Sequence, residues 1–371
     1  MNRSAHSSKM PQRHRAVLIR HLNKALLGRV MLCGAVLVAL MELLALLEKT
    51  TPILNRHLGV RGLAIFSALH LPALSIDILP LAFLIGALFF LTQLALSSEM
   101  SALRAAGLST IGLYRLLLPT VLFVGFAGMI GQYWVVPASE GALKQWWNAT
   151  TPINEHDDSD QPLWFRMGGT LIRIEHISNS GQTLSDITRY DRDAHGQLTS
   201  TQHADSLNYA GDHWEETGNL TLQLNPDHSA AHRIPGGALA LPVSPRTIIR
   251  LTQAQPFLTP GEILDALHNG APASLPRPTY RMALFSPLIL PIDMATMLLL
   301  ALPVIYIPPR TGLRTPLPVY VLAAGLALVI LQGLINALGN AGTLPAALAV
   351  LSGPLPGILF GITWVLRMEE K

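Results

Sequence analysis

Thirteen histidines and one cysteine are the residues from which a metal or redox centre would have to be built. Eight histidines fall in one region: His156, His176, His195, His203, His213, His228, His232 and His268. Their spacings match no zinc pattern, so they read as solvated polar surface. Cys33 stands alone, which excludes an intrachain disulfide and a C-x-x-C site, and it reads as a small buried hydrophobe. Asp191 and Asp193 lie in "YDRDAHGQ", where a solvated hairpin loop competes with a carboxylate pair. The chain contains no G-x-x-x-x-G-K-[ST], no G-x-S-x-G and no H-E-x-x-H. It is expected to have no catalytic residues, no metal and no cofactor of its own.

Two acids fall inside apolar runs. Asp77 lies in "ALSIDILP" and Asp293 in "LPIDMATM". A carboxylate at membrane depth is costly and usually faces a protein interior or a cavity. A proton relay is one reading. Interhelical hydrogen bonding beside Pro80 and Pro291 is the preferred one.

The elements that must carry these residues are mostly membrane helices. Half of the chain is hydrophobic and only 13% is charged, against about 25% charged in soluble domains. Apolar runs of about 20 residues, enough for a span, occupy 25–47, 73–97, 111–136, 282–307, 316–338 and 344–366. Six spans with both termini on one side are expected. In the fourth, Leu298 is expected to face lipid.

Charge sets the orientation. Residues 1–29 carry Arg3, Lys9, Arg13, Arg15, Arg20, Lys24 and Arg29 and no acid. Arg104 and Arg115, Arg310 and Arg314, and Arg367 and Lys371 mark the same side. By the positive-inside rule that side is cytoplasmic. A cleavable signal is not expected, because the first run is long and lacks a small-x-small cleavage site. Nucleic-acid binding is disfavoured, since no folded basic face accompanies the basic head.

Between 137 and 280 the hydropathy collapses and acids outnumber bases. Short alternating runs such as Leu171, Arg173 and Glu175 against Ile172, Ile174 and His176 are separated by turn residues. That is the pattern of an antiparallel β domain, a sandwich or jelly roll. The expected organisation is 1–136 with spans one to three, 137–280 as a jelly-roll-like periplasmic domain, and 281–371 with spans four to six. A connector helix at about 260–269 carries its own punctuation. Thr259 caps it, Pro260 opens it, Glu262 follows three residues after the cap and Gly270 stops it.

The loop "LALSSEMSALRAAGLST", residues 94–110, is more ordered than a loop needs to be. Ser97 or Ser98 can cap a helix that begins at Glu99, an acid that suits the macrodipole. Met100, Leu103 and Ala106 form an apolar stripe, Gly107 can end the helix, and Ser109 can cap the next span. A rigid helix at about 98–107 transmits force, and docking into a separate ATPase is one purpose. An ordinary amphipathic interfacial helix is the other.

"SSEMSALRAAGLS" resembles the coupling stretch of the LptF/LptG family, the lipopolysaccharide export permeases. "LPALSIDILPLAFLIGALFFLTQLA" resembles that family's second span, and "SPLILPIDMATMLLLALPVIYIPPRTG" its fourth span and following loop. The 171–216 region, with a strand start between Gly211 and Trp214, is similar to its jelly-roll core. The resemblance covers about residues 15–368, and the connector "RTIIRLTQAQPFLTPGEILDALHNG" leans toward the LptG side. The first span departs from the family by carrying Glu42 and Glu48 where basic residues are usual.

The resemblance implies a permease subunit of an ABC transporter in the bacterial inner membrane. It would extract lipopolysaccharide and pass it to periplasmic bridge proteins. The implied partners are an LptF-like permease, a cytoplasmic ATPase dimer, LptC/LptA-like jelly-roll proteins and lipopolysaccharide. Glu99, Met100, Leu103, Arg104 and Gly107 would form the ATPase-coupling helix. Lys49, Arg56, Arg61 and Arg281 are the candidates for lipid phosphates. A mechanotransmission permease, or a membrane-anchored binding or scaffold protein that carries no lipid, remains the alternative.

Overall fold

A computed structural model of the chain describes residues 12–105, 107–150, 162–178, 180–193, 195–224, 231–235, 241–252, 258–268, 270–307 and 316–369. The basic residues Arg3, Lys9, Arg310, Arg314 and Lys371, and Ala106 of the apolar stripe, lie outside them.

The first apolar run forms one continuous helix, α1 (Gln12–Asn55). At 1.5 Å per residue it is about 66 Å long, twice the bilayer's hydrocarbon core. Helix α2 (Gly59–Asp77) turns back along it through His57 and Gly59, both in the left-handed region at φ 57° and 55°. Helix α3 (Leu79–Leu96) continues α2 after a break at Ile78, with Pro80 in its first turn, where a missing N–H costs nothing. Four points fix the antiparallel pairing of α1 with α2 and α3. A Cβ on Gly62 would meet the Ile53 side chain, and His70 approaches Glu42 at 3.0 Å. Gly34 faces Ala82, and Gly86 lies against the Val30 backbone.

After the short α4 (Ser98–Ala105), helix α5 (Thr110–Ile130) runs through a π segment at Gly131–Val135 into α6 (Val136–Thr150). Ser109 caps α5, accepting from the Gly112 N–H at 3.0 Å. The later spans are α9 (Arg277–Ala301), which passes into a 3-10 turn at Leu302–Tyr306, then α10 (Leu317–Asn340), α11 (Ala346–Leu351) and α12 (Pro354–Glu369).

Seven helical stretches among the described residues are long and apolar enough to cross a membrane, one more than the sequence led us to expect. The addition is α2. Its apolar residues are interrupted by Arg61, His70 and Pro72, so a 20-residue window merged its end with α3.

Helices α3 and α9 form the centre of the helical region, with Phe83, Leu84, Leu91, Met294, Met297 and Leu298 inside. Leu298 is fully buried, which corrects its expected lipid exposure. Hydropathy cannot separate a protein-facing from a lipid-facing leucine, because both environments are apolar. Small residues permit the closest crossings, and a Cβ on Gly125 would sit 2.5 Å from Pro291 Cα. Asp293 accepts a hydrogen bond from Gln332 at 3.0 Å, joining α9 to α10. Asn23 ties α1 to α5, donating to the Leu116 carbonyl and accepting from the Thr120 hydroxyl at 2.6 Å. Around this centre, α1 and α10 expose long apolar faces, including Leu40, Leu43, Leu47, Ile330 and Leu334.

The inserted region is one antiparallel sheet with neighbours in chain order. Its strands are β1 (Leu163–Met167), β2 (Thr170–Ile177), β3 (Thr183–Arg192), β4 (Leu198–Tyr209), β5 (Trp214–Leu224) and β6 (Ala231–Pro235). The register pairs Phe165 with Ile172, Ile174 with Ile187 and Leu184 with Leu207. One apolar face results, and Leu241, Val243 and helix α7 (Pro245–Leu251) cover it. Arg173 and Glu175 pair with each other on the opposite face. The outer edge of β1 is partly taken by Ala273, which exchanges hydrogen bonds with Arg166 at 2.8 and 2.9 Å.

Helix α8 (Pro260–His268) leads back to the membrane as its punctuation predicts. The Thr259 N–H and hydroxyl both donate to Glu262 Oε2, at 2.8 and 2.9 Å. Gly270 takes φ 69° at the exit. Ile263 and Ala266 pack on Tyr280 at the start of α9.

Candidate functional site

Helix α4 is short, so its position depends on packing more than on propensity. Its Met100 and Leu103 are 3% and 7% exposed and join the core of α3, α5 and α9. Glu99 lies on the exposed side. Gly107, at φ 83°, closes the helix by donating to the Arg104 carbonyl, while the Leu108 N–H reaches the Leu103 carbonyl. Ser97 plays a different part from the expected cap. Its N–H and hydroxyl bond to the Gln93 and Leu94 carbonyls, so it closes α3, and its extended backbone makes the corner into α4.

Arg104 supplies a contact that no local pattern announced. Its guanidinium donates to the Ile305 carbonyl at 3.1 Å and lies over the Tyr306 ring at 4.9 Å. The Tyr306 hydroxyl shares a hydrogen bond of 2.7 Å with Thr110. Arg104 thereby fastens α4 to the 3-10 turn that follows α9, and Tyr306 ties that turn to the start of α5.

The four candidate phosphate partners do not form one cluster of free cations. Lys49 pairs with Glu48 at 2.6 Å. Arg56 stacks on Trp147 at 4.3 Å and donates to its carbonyl. Arg61 is exposed on α2, and Arg281 is exposed near the start of α9. Lys49, Arg56 and Arg61 share the α1–α2 hairpin, apart from Arg281 in sequence and element.

The acidic departure in α1 also has a partner. Glu42 is 7% exposed, and its Oε2 lies 3.0 Å from His70 Nδ1. His70 in turn stacks on Phe66. Among the described residues no group of three His, Cys, Asp or Glu side chains could hold a metal ion.

A family model described as "Lipopolysaccharide export system permease LptF/LptG" matches residues 20–367, nearly the whole chain. The chain belongs to the LptF/LptG family. Among its relatives, the lipopolysaccharide export system permease protein LptG of Escherichia coli is 22% identical over 309 residues, which is 80% of this chain and 82% of that protein. The protein of the same name from Haemophilus influenzae is 24% identical over 196 residues, 53% of this chain and 54% of that protein. Both carry the LptG name, the side toward which the connector leans. A member of the LptF/LptG family is the transmembrane subunit of an ABC transporter. It is not itself the enzyme, since ATP is hydrolysed on another subunit, and it carries no cofactor. The family also accounts for the multi-pass helices with an inserted antiparallel sheet.

Three features of this LptF/LptG permease escaped the sequence reading. They are the Arg104–Tyr306 fastening, the Asn23–Thr120 clasp and the Glu42–His70 pair. Asn23 and Glu42 were detectable as polar residues in an apolar helix, but their partners lie on other helices.

Proposed function

We propose that this chain is the LptG-side permease that takes lipopolysaccharide from the outer leaflet of the inner membrane toward periplasmic bridge proteins. A cytoplasmic ATPase dimer drives it, and a homologous LptF-like permease completes the membrane path. The observation that carries this reading is α4: a helix with a buried apolar stripe, an exposed Glu99 and a fastening to α9 through Arg104. Such a helix can receive a push from an ATPase groove and pass it directly to the core spans.

Arg20, Lys24, Arg104, Arg115 and Arg367 lie toward the α4 end in the chain's topology, which makes that end cytoplasmic by the positive-inside rule. Helices α2 and α3 then make one crossing, since together they run antiparallel to the overlong α1. The inserted sheet lies on the periplasmic side. Lys49, Arg56, Arg61 and Arg281 remain our candidates for lipid phosphates, with Arg61 and Arg281 the more available.

Photo-crosslinkers at 49, 56, 61 and 281 test the substrate. Leu334, which is 62% exposed on α10, is the lipid-facing control. Capture of lipopolysaccharide above that control supports the reading. Capture equal to it, with no lipopolysaccharide found in the purified complex by mass spectrometry, favours a mechanotransmission permease.

A further inference from the structure

At the opposite end of the helical region from α4, a cavity of about 450 Å³ opens. It lies between the π segment after α5, the first turns of α9 and the last turns of α10, with Leu258 and Ile263 of α8 and its approach as a further wall. Its size falls within the ~300–1,000 Å³ range of small-molecule sites. Gln132, Thr279, Ser286, Asn336 and Asn340 supply most of its polar groups, and much of the remaining wall is apolar. None of the described residues that line it carries a charge.

The walls leave polar groups uncommitted. The Tyr133 hydroxyl donates to the Leu284 carbonyl at 2.5 Å and pins the π segment to α9. Pro287 has no N–H, so the Ala283 carbonyl loses its donor within α9, at a turn that faces the cavity. A π segment also departs from the regular helical ladder, and such segments are frequent at functional sites. Asn336 Oδ1 is the decisive atom. It is buried at the cavity wall and has no hydrogen-bond partner among the described residues. A buried acceptor left in this way calls for a donor from a bound molecule.

We infer that this cavity is a saccharide subsite for the exported glycolipid, holding a hydroxyl-rich sugar ring against Asn336, Gln132 and the Ala283 carbonyl. The inference rests on the proposed function above and deepens it. A sugar hydroxyl both donates and accepts, as the side-chain amides and hydroxyls of the wall do. The C–H face of a sugar ring suits the apolar part of the wall. A phosphate would find no cation inside the cavity, and a hydrocarbon chain would leave its polar groups unpaired. Arg281, a candidate for lipid phosphate, is exposed on the same turn of α9 as Thr279 and Ala283, which line the cavity. One helical turn therefore offers a cation on one side and neutral hydrogen-bonding groups on another, the order of a phosphate attached to a sugar.

The test uses the full chain in its assembled complex, in nanodiscs that contain lipopolysaccharide. A photo-crosslinker replaces Leu275 on the cavity wall. Capture of lipopolysaccharide there is expected above background. It should fall about fivefold in Asn336→Leu, the worth of one neutral hydrogen bond, while capture at 49, 56 and 61 is unchanged. Asn336→Gln keeps an amide and should retain most of the capture. Ser286→Val removes a hydroxyl from another wall and adds bulk, so it should lower capture independently. Asn336→Leu should also keep or raise Tm, because it removes an unpaired buried acceptor. Phosphatidic acid carries a phosphate and acyl chains but no sugar, and it should not be captured at 275. Capture at 275 that is indifferent to Asn336→Leu and Ser286→Val, or equal for phosphatidic acid, overturns the subsite and leaves a cavity for water or any amphiphile. Capture at 49, 56 and 61 without capture at 275 overturns the subsite alone. Capture at none of these positions overturns the proposed function with it.

Discussion

Arg104 on the short helix α4 reaches Ile305, 201 residues away in sequence, donating to its carbonyl at 3.1 Å while its guanidinium covers the Tyr306 ring. The contact joins the element proposed to meet the ATPase to the turn that ends the most buried span. Cation–π stacking adds about 0.5–1 kcal/mol at exposed sites, and a charged hydrogen bond about 1.5–3 kcal/mol. Arg104→Ala is expected to leave the protein folded and assembled while substrate-stimulated ATP hydrolysis falls severalfold. Arg104→Lys keeps a donor but loses the planar stack, so it should fall between. Activity of the lysine variant equal to the parent would remove the stack from the argument.

Glu99 is exposed, and in the coupling role proposed for α4 its carboxylate would meet a basic residue of the ATPase. Glu99→Arg should therefore separate hydrolysis from transport in the reconstituted complex. A repulsive pair replaces an attractive one, so coupling should drop at least tenfold if the contact is worth about 1.5 kcal/mol or more. A complex that assembles and transports normally with Arg at 99 would reduce Glu99 to a helix-start residue.

Gly125 allows α5 to touch α9, where an added Cβ would lie 2.5 Å from Pro291 Cα. Backbone cannot yield as a side-chain tip can. Gly125→Ala should destabilise by about 1–3 kcal/mol, the usual cost of overpacking. Gly28→Ala is the control, because nothing lies within 4 Å of its would-be Cβ. Thermal unfolding in detergent should show a lower Tm for the first variant and an unchanged or higher Tm for the second.

Glu262 holds α8 to α7 through Arg250, whose Nη1 donates to Oε1 at 2.7 Å. Partial burial pushes its pKa up, but the Thr259 N–H and hydroxyl and the Arg250 charge outweigh burial and hold it below the ordinary carboxylate value. A lowered folded pKa contributes stability that is present above the unfolded value, and it is lost as pH falls through the folded one. Protection factors in 259–268, which are exchange rates corrected for the intrinsic rate at each pH, should be high at neutral pH and still high near pH 5. They should fall only below the usual carboxylate range. Glu262→Gln should lower protection at neutral pH and show no such fall.

Among the described residues β6 pairs only with β5, whereas the β1 edge is partly used by Ala273. Successive N–H groups of a strand point to opposite sides. His232→Pro and Arg233→Pro therefore remove one inward and one outward donor between them. The outward variant should keep the sheet and the ATPase activity but lose binding to an LptC/LptA-like jelly roll. Full binding by that variant would show that β6 is not the docking edge.

Much of this architecture is local and so was written in the chain. Apolar runs of bilayer length marked the spans because hydropathy averages over neighbouring residues. Thr259, Glu262 and Gly270 bounded α8, and Ser109 and Gly107 bounded the ends around α4, because capping groups lie within four residues of their partners. Period-two alternation at 171–176 exposed the β2 strand for the same reason.

What only tertiary structure decided lies between elements distant in sequence. The partners of Arg104, Asn23 and Glu42 stand on other helices, and no periodicity encodes a contact across 28, 97 or 201 residues. Leu298 looked lipid-facing because a membrane and a protein core are equally apolar to a hydropathy scale. The sequence by itself determined which segments are apolar enough for a membrane and where α4 and α8 end, because those depend on local solvation and capping. Helix packing decided which polar groups meet, because in an apolar medium shape and hydrogen bonds, rather than hydrophobicity, select the partner.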